Sequence, residues 1–245
     1  MKIIRKLKSE SGRAINVYEK ERWAKNSKAE KWGVKPRKKV ENKFLLIQGT
    51  GRSGTKFSSN LFKKIGLDIG HEKVGEHGTS THFFHSDSDW YPYFPWMKGC
   101  AHVGERLSDY YFEHSSHIVR NPLITIPSIQ DIFGGIDFEF LEDNDMLEQG
   151  IKTKRLLCMH VYYNINKKLE DQTDYVFQLE KYRESWPVLQ TILGLEDVPM
   201  PELPPANKGT GYRKSEATTW DELSSLDPIL TKNLKKMSRR YGYEV

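Results

Sequence analysis

The stretch "GTGRSGTK", residues 49–56, joins the apolar run "FLLIQ" to "FSSNLFKKIG", whose apolar residues have helical spacing. A strand, a glycine-rich loop and a helix in this order favour phosphate binding, because loop N–H groups and the positive end of the helix dipole face one point. A Walker A loop has lysine directly after its second glycine, followed by a hydroxyl residue. Here Gly54 is followed by Thr55 and only then by Lys56. The loop therefore predicts a phosphate-bearing ligand held in an unusual way.

Short apolar runs alternate with stretches of helical spacing from residue 44 onward. The runs "KFLLIQG", "LDIGHE", "SSHIVRNP" and "DYVFQLE" predict strands. Helices are predicted over "TKFSSNLFKKIG", "LITIPSIQDIFGG", residues 145–172, "KYRESWPVLQTILG" (ended by Gly194) and "PILTKNLKKMSRRYG". This alternation is typical of a parallel sheet with crossover helices. We expect an α/β protein with a P-loop-type three-layer fold, in which helices flank a central parallel sheet.

The charge is distributed unevenly along the 245 residues, whose formal net charge is +5. Residues 1–43 contain 15 Lys/Arg against 5 Asp/Glu, so the remainder is acidic overall. We expect a basic N-terminal tail or linker over residues 1–43 and a single P-loop domain over residues 44–245. The tail has no recognisable nucleic-acid-binding motif. We expect it to be solvated or to dock on an anionic surface or partner, not on nucleic acid.

The sequence also predicts a cytoplasmic protein. No apolar run approaches the roughly 20 residues that span a membrane, and the N-terminus lacks the apolar core of a signal peptide. The two cysteines, Cys100 and Cys158, have neither zinc-site nor redox-motif spacing, so buried free thiols are expected.

The side chains of the loop favour a site that works with cations and without a metal. Lys56 stands where a nucleoside triphosphatase has its Mg²⁺-binding hydroxyl, and an ammonium has no lone pair for a metal. The strand "SHIVRNP" ends in Arg120, where such an enzyme needs a carboxylate. The predicted anion-binding residues of the loop are Gly51, Arg52, Ser53, Gly54, Thr55 and Lys56.

Two motifs together resemble the sulfotransferase family, whose donor is 3′-phosphoadenosine 5′-phosphosulfate. The loop "GRSGTK" is similar to the family's "PRSGTT" or "PKSGTT". Downstream, "VRNPLITIPS" resembles the second signature, a strand ending in arginine with a serine eight residues later. The resemblance implies that the loop grips the 5′-phosphosulfate, and that Arg120 and Ser128 bind the 3′-phosphate.

Weaker similarities extend the resemblance over most of residues 44–225. The segment "GHEKVGEHGTSTHFF" is similar to a stretch of bacterial members, and "VFQLEKYRESWPVLQTILGL" to the family's "YEDL…P…FLGL" passage. Leu179 replaces the tyrosine expected before Glu180, which leaves one adenine contact unassigned. The basic segment "NKGTGYRKSEATTW" resembles a loop over the 3′-phosphate and makes Lys208 and Arg213 further candidates.

Sulfuryl transfer requires a base for the acceptor's proton and a cation for the leaving phosphate. The resemblance assigns the second role to Arg52. For the base, Glu72 fits best by its spacing and by following a predicted strand, where α/β sheets build their sites. His82 is the alternative, because the ordinary pKa of imidazole suits proton transfer near neutrality. His71, His77 and His85 lie nearby, but their spacing with His82 matches no usual zinc site.

The acceptor is expected to be a hydroxyl group, most simply of a saccharide or polysaccharide as in bacterial-type relatives. Residues 90–96 contain five aromatic side chains that stack on sugars or pack internally. Two alternatives remain open. The first alternative is a P-loop nucleotide kinase or NTPase with a degenerate Walker A loop. The second is a catalytically idle sulfotransferase-like module whose basic tail binds a partner.

Overall fold

The structure is a computed structural model that describes residues 41–82, 110–132, 150–170, 172–202 and 216–245. Several predictions concern other parts of the chain and lie outside the described residues. They are the basic tail up to residue 40, His85, the aromatic residues 90–96, Cys100, Lys208 and Arg213.

Five strands form one sheet in which every described pairing is parallel. The strands are β1 (Glu41–Gln48), β2 (Ile69–His71), β3 (Gly78–Thr81), β4 (Tyr110–Val119) and β5 (Tyr175–Gln178). Their order is β2-β3-β1-β4-β5, so β1 lies at the centre. The expected α/β fold with a central parallel sheet is confirmed.

Six helices are described, together with a 3₁₀ turn at Leu179–Lys181. They are α1 (Thr55–Lys64), α2 (Pro122–Ile132), α3 (Lys154–Glu170), α4 (Tyr182–Leu193), α5 (Trp220–Leu226) and α6 (Pro228–Arg240). Gly194 ends α4 in the left-handed conformation (φ 65°), as predicted. α3 begins at Lys154, nine residues after the predicted start; residues 141–149 are not described.

The core has two apolar clusters, one on each face of the sheet. One joins β1, β4 and β5 to α1 and α4, with Leu45, Phe62 and Trp186 among its members. The other packs α2, α3, α5 and α6 against β4, with Ile126, Met159 and Leu234 among its members. The sheet is thus the middle of three layers.

Two elements were not predicted from the sequence, β3 and α5. β3 is the segment "GTST", which has no large apolar side chain although all four residues are buried. β1 also begins at Glu41, three residues before the expected start of the domain. Within the described residues, no helix has the length and apolar character needed to cross a membrane. Cys158 is buried without a disulfide, and burial raises the pKa of its thiol to about 12.

Candidate functional site

The candidate residues gather at one edge of the sheet. Because all strands run parallel, the loops that follow them share the carboxyl edge, where open α/β sheets bind ligands. Residues 49–54 follow β1, Glu72 follows β2, His82 follows β3, Arg120 follows β4, and Leu179 and Glu180 follow β5. The fold therefore brings together sequence segments that lie up to about 130 residues apart.

The loop after β1 ends at an uncapped helix N-terminus. Gly54 adopts a left-handed conformation (φ 111°), no side chain caps α1, and its first turn has no acidic residue. Among the described residues, no hydrogen bond is donated by the N–H groups of Gly51, Gly54 or Thr55. Unsatisfied N–H groups at a helix N-terminus attract an anion. The arrangement is chemically suited to one phosphate or sulfate group.

Ser53 stabilises the shape of the loop through two hydrogen bonds to one carbonyl oxygen. Its Oγ donates to the carbonyl of Thr50 at 2.7 Å, and its backbone N–H donates to the same carbonyl at 3.1 Å. The side chain is fully buried. Ser53 thus stabilises the shape of the loop, and its predicted phosphate contact stays a prediction.

The two sequence motifs meet directly through Arg52. Its Nε donates to Oγ of Ser128 on α2 at 2.9 Å, although 76 residues separate them. Nη1 of Arg120 donates to the carbonyl oxygen of Arg52 at 3.2 Å. Both guanidinium groups and the Ser128 hydroxyl therefore lie beside the uncapped end of α1. Such a pair of cations can bind a ligand with two anionic groups.

Arg120 is held at the end of β4 by its backbone and neighbours. Its carbonyl oxygen accepts a hydrogen bond from the Tyr162 hydroxyl at 2.7 Å. Burial lowers the pKa of the Arg120 guanidinium, the Glu180 carboxylate raises it, and the charge of Arg52 lowers it further. The net pKa is lower than usual, yet an arginine remains charged at neutral pH.

Glu72 is fixed by three hydrogen bonds and has a strained backbone. Oε2 accepts from the Thr81 hydroxyl at 2.8 Å, and Oε1 lies 2.6 Å from Nδ1 and 3.3 Å from the backbone nitrogen of His82. Its φ is 57°, which is uncommon for a residue other than glycine. Burial alone would raise the pKa of this carboxyl group, but the hydrogen bonds and charge of His82, with the Thr81 hydroxyl, outweigh burial and lower it. Glu72 is therefore ionised at neutral pH and a weak base.

His82 lies over the loop with a defined tautomer. An ionised carboxylate only accepts hydrogen bonds, so Nδ1 of His82 carries the proton directed at Glu72. In the neutral imidazole the lone pair is then on Nε2. A Cβ atom on Gly51 would lie 3.5 Å from Cδ2 and 4.0 Å from Nε2 of this ring. The imidazole edge with the basic nitrogen thus lies beside the loop.

His71 connects Glu72 to the start of α1. Its Nε2 lies 3.3 Å from the Thr55 hydroxyl and 3.4 Å from Oε1 of Glu72. Burial lowers the pKa of His71, the Glu72 charge raises it, and His82 and Lys56 lower it further. The net pKa is lower than usual, so His71 is neutral near pH 7 and lies beside Glu72 without an ion pair at that pH.

The remaining predicted residues have different positions. The Lys56 side chain is exposed on the first turn of α1. The Leu179 side chain packs against Gly54, since a Cβ there would lie 2.7 Å from Leu179 Cδ1. His77 is not part of this group, because its Nδ1 accepts from the backbone of Asp68 before β2. In the described portion of the chain, no group of three His, Cys, Asp or Glu residues is arranged to hold a metal ion.

Tyr162, Glu180 and Tyr243 also lie at this edge, although the sequence patterns did not predict them as site residues. Glu180 accepts hydrogen bonds from the Asn121 N–H at 3.0 Å and the Tyr243 hydroxyl at 2.8 Å. Only the tertiary fold brings residues 120, 162, 180 and 243 together, and no local pattern marks them.

Comparisons of the chain with protein-family models, curated proteins and solved structures found no match.

Proposed function

We propose that the protein is a cytoplasmic P-loop-type sulfotransferase. It moves the sulfuryl group of 3′-phosphoadenosine 5′-phosphosulfate to an acceptor hydroxyl, which we take to belong to a saccharide. The observation that carries the proposal is the contact between the two motifs: Arg52 donates to Ser128 at 2.9 Å, and Arg120 donates to the Arg52 carbonyl at 3.2 Å. Two anion-binding segments that are far apart in sequence thus form one surface.

The donor set suits a ligand with two separate anionic ends. The uncapped start of α1 with Arg52 takes the 5′-phosphosulfate, and Arg120 with Ser128 takes the 3′-phosphate. The residue after β4 is a cation, whereas Mg²⁺-dependent phosphoryl transfer uses a carboxylate to hold its metal. The proposal therefore relies on side-chain cations for the negative charge.

His82 and Glu72 supply the acid–base chemistry in this proposal. Nε2 of His82 takes the proton of the acceptor hydroxyl while the oxygen forms a bond to sulfur. The bond from sulfur to the 5′-phosphate oxygen breaks, and Arg52 stabilises the charge that develops on adenosine 3′,5′-bisphosphate. Glu72 orients the ring and stabilises the imidazolium that forms, as a buried carboxylate does in hydrolytic triads.

Calorimetric titration with adenosine 3′,5′-bisphosphate tests the nucleotide site without knowledge of the acceptor. The wild type is expected to bind the bisphosphate equally well with and without Mg²⁺. Arg52→Ala and Arg120→Ala are each expected to weaken binding by about 10- to 100-fold, since each removes charge-assisted hydrogen bonds. Lys56→Ala is the matched control, because this lysine is exposed, and its effect should stay below about threefold.

The two other readings give different results in the same titration and in a transfer assay. A nucleotide kinase or NTPase would bind ATP only with Mg²⁺ and would ignore the bisphosphate. An idle module would bind the bisphosphate but transfer no sulfuryl group to any saccharide offered. Equal bisphosphate affinity in the wild type and all three alanine variants would refute the assignment of the site.

A further inference from the structure

The carboxylate of Glu180 is held beside Arg120 without contacting it. Glu180 lies in the 3₁₀ turn after β5 and is exposed. The Asn121 N–H donates to Oε1 and the Tyr243 hydroxyl donates to Oε2. The burial of Tyr243 raises the pKa of its phenol, and the negative charge of Glu180 raises it further. Tyr243 therefore keeps its proton and remains a hydrogen-bond donor. Each carboxylate oxygen thus accepts a hydrogen bond from a neutral donor.

Arg120 lacks the ion pair that its position would allow. Its charge interacts with those of Glu180 and Arg52, but among the described residues no hydrogen bond or ion pair joins Arg120 to Glu180. Its described side-chain hydrogen bond goes to the Arg52 carbonyl through Nη1. The other guanidinium N–H groups are therefore not committed to the nearest carboxylate.

We propose that Tyr243 and Glu180 determine selectivity for a ligand with a second phosphate, with Tyr243 holding Glu180 away from Arg120. The inference rests on the proposed function, in which Arg120 receives the 3′-phosphate. When the Tyr243 hydroxyl is removed, Oε2 of Glu180 loses its donor; the carboxylate, still held at Oε1 by the Asn121 N–H, turns toward Arg120 and competes with the ligand. Tyr243 and Glu180 are positioning residues for Arg120, and neither contacts the reacting atoms.

Two substitutions separate this idea from simple structural support, because their effects have opposite signs. Tyr243→Phe keeps the ring but removes the hydroxyl that restrains Glu180, so the carboxylate becomes a competitor. Glu180→Gln keeps an oxygen that accepts hydrogen bonds but removes the charge that repels a phosphate. In the double variant the released side chain is a neutral amide, which cannot form an ion pair with Arg120.

The experiment is a calorimetric comparison of adenosine 3′,5′-bisphosphate with adenosine 5′-monophosphate, which lacks the second phosphate. Tyr243→Phe is expected to weaken bisphosphate binding by about three- to tenfold, the range that the net free energy of one ordinary hydrogen bond allows. Glu180→Gln is expected to tighten it by about two- to fivefold, a modest effect because the carboxylate is exposed. Both variants should bind the monophosphate like the wild type.

The double variant and a control tyrosine complete the test. Tyr243→Phe in the Glu180→Gln background should cause no further loss of bisphosphate affinity. Tyr163→Phe is the matched control, since Tyr163 packs on the same apolar cluster without a hydroxyl hydrogen bond among the described residues. It should leave the affinities for both nucleotides unchanged.

Several results would overturn the inference. A Tyr243→Phe loss that persists in the Glu180→Gln background would show that the tyrosine acts independently of the carboxylate. Weaker bisphosphate binding in Glu180→Gln would show that Glu180 supports Arg120 and does not compete with the ligand. If the wild type binds the bisphosphate, either of these results contradicts the inference about Tyr243 and Glu180 but not the proposed function. No bisphosphate binding by the wild type would remove the proposed function and this inference together.

Discussion

Arg52 and Glu72 are the two non-glycine residues of the described structure with positive φ, at 70° and 57°. Such conformations cost about 1–3 kcal/mol each and persist where the surroundings enforce them. The Arg52 carbonyl accepts a hydrogen bond from Arg120, and the Arg52 guanidinium donates one to Ser128. The Glu72 carboxylate is bound by Thr81 and His82. Strain at two residues of one edge is typical of a functional site.

Replacing Glu72 tests its control of the His82 tautomer. Glu72→Asn replaces the carboxylate by a neutral amide on a shorter side chain. Asparagine is chosen because it tolerates positive φ better than most residues. We expect His82 to lose its preference for a proton on Nδ1, because the acceptor at 2.6 Å is gone. Two-dimensional ¹H–¹⁵N NMR of the histidine rings measures this. Glu76→Asn, at an exposed position between β2 and β3, should leave the His82 signals unchanged. A predominant Nδ1–H tautomer in Glu72→Asn would contradict the assigned role.

At the scale of elements, sequence patterns found the parts of the fold that depend on apolar side chains. β1, β2, β4, β5 and five of the six described helices follow apolar runs or helical spacing. β3 escaped because its buried hydroxyls replace apolar side chains: Ser80 donates to the Thr55 carbonyl and Thr79 to the Lys73 carbonyl. These partners are set by the tertiary fold. α5 did carry a local signal, since Thr219 and Glu222 form a capping box.

Gly78 determines how closely β3 approaches β1. It has φ 150°, and a Cβ atom there would lie 1.9 Å from the Leu45 carbonyl oxygen. Gly78→Ala should therefore lower the free energy of unfolding by about 3 kcal/mol or more, because backbone atoms must move. Gly66→Ala is the matched control: Gly66 also has positive φ, 88°, but open space around it, so we expect about 1 kcal/mol. Urea denaturation measures both values, and equal losses would contradict the close approach.

At the scale of the whole molecule, the parallel sheet explains why the site was partly predictable. A residue that follows a strand in sequence lies at the carboxyl edge, so the strand patterns predicted that Arg52, Glu72 and Arg120 lie near one another, while the glycine loop and the family resemblance supplied their proposed roles. The orientation of side chains within that edge was not accessible in this way. Ser53 turns into the loop, and Tyr243 reaches the edge from beyond α6. Such contacts depend on packing between layers, which a single sequence does not encode locally.

His117 lies on the opposite side of β4 from the apolar cluster of α1 and is fully buried. Its Nε2 lies 2.8 Å from Oδ1 of Asn166, whose amide nitrogen donates to the Tyr162 carbonyl. The amide oxygen must then accept, so Nε2 carries the only ring proton and His117 is neutral. Burial lowers the pKa of His117 to about 4, and the hydrogen bond to Asn166 offsets only part of this.

This buried histidine makes the whole molecule less stable as the pH falls. Its pKa is about 4 when folded and about 6.5 when unfolded, so between these values the unfolded chain binds more protons. The contribution of neutral His117 to the free energy of unfolding is fully present above pH 6.5. It falls by roughly 2 kcal/mol between pH 7 and pH 4.5. Stability changes in the same direction through four other groups whose pKa values are also lowered, namely His71, His160, Glu72 and Glu222.

Urea unfolding of the wild type and His117→Gln at pH 7 and pH 4.5 isolates the contribution of His117, since the contributions of the other groups cancel in the difference. The variant should be less stable at pH 7 but lose roughly 2 kcal/mol less on acidification. Parallel pH dependences would mean that folding does not lower the pKa of His117.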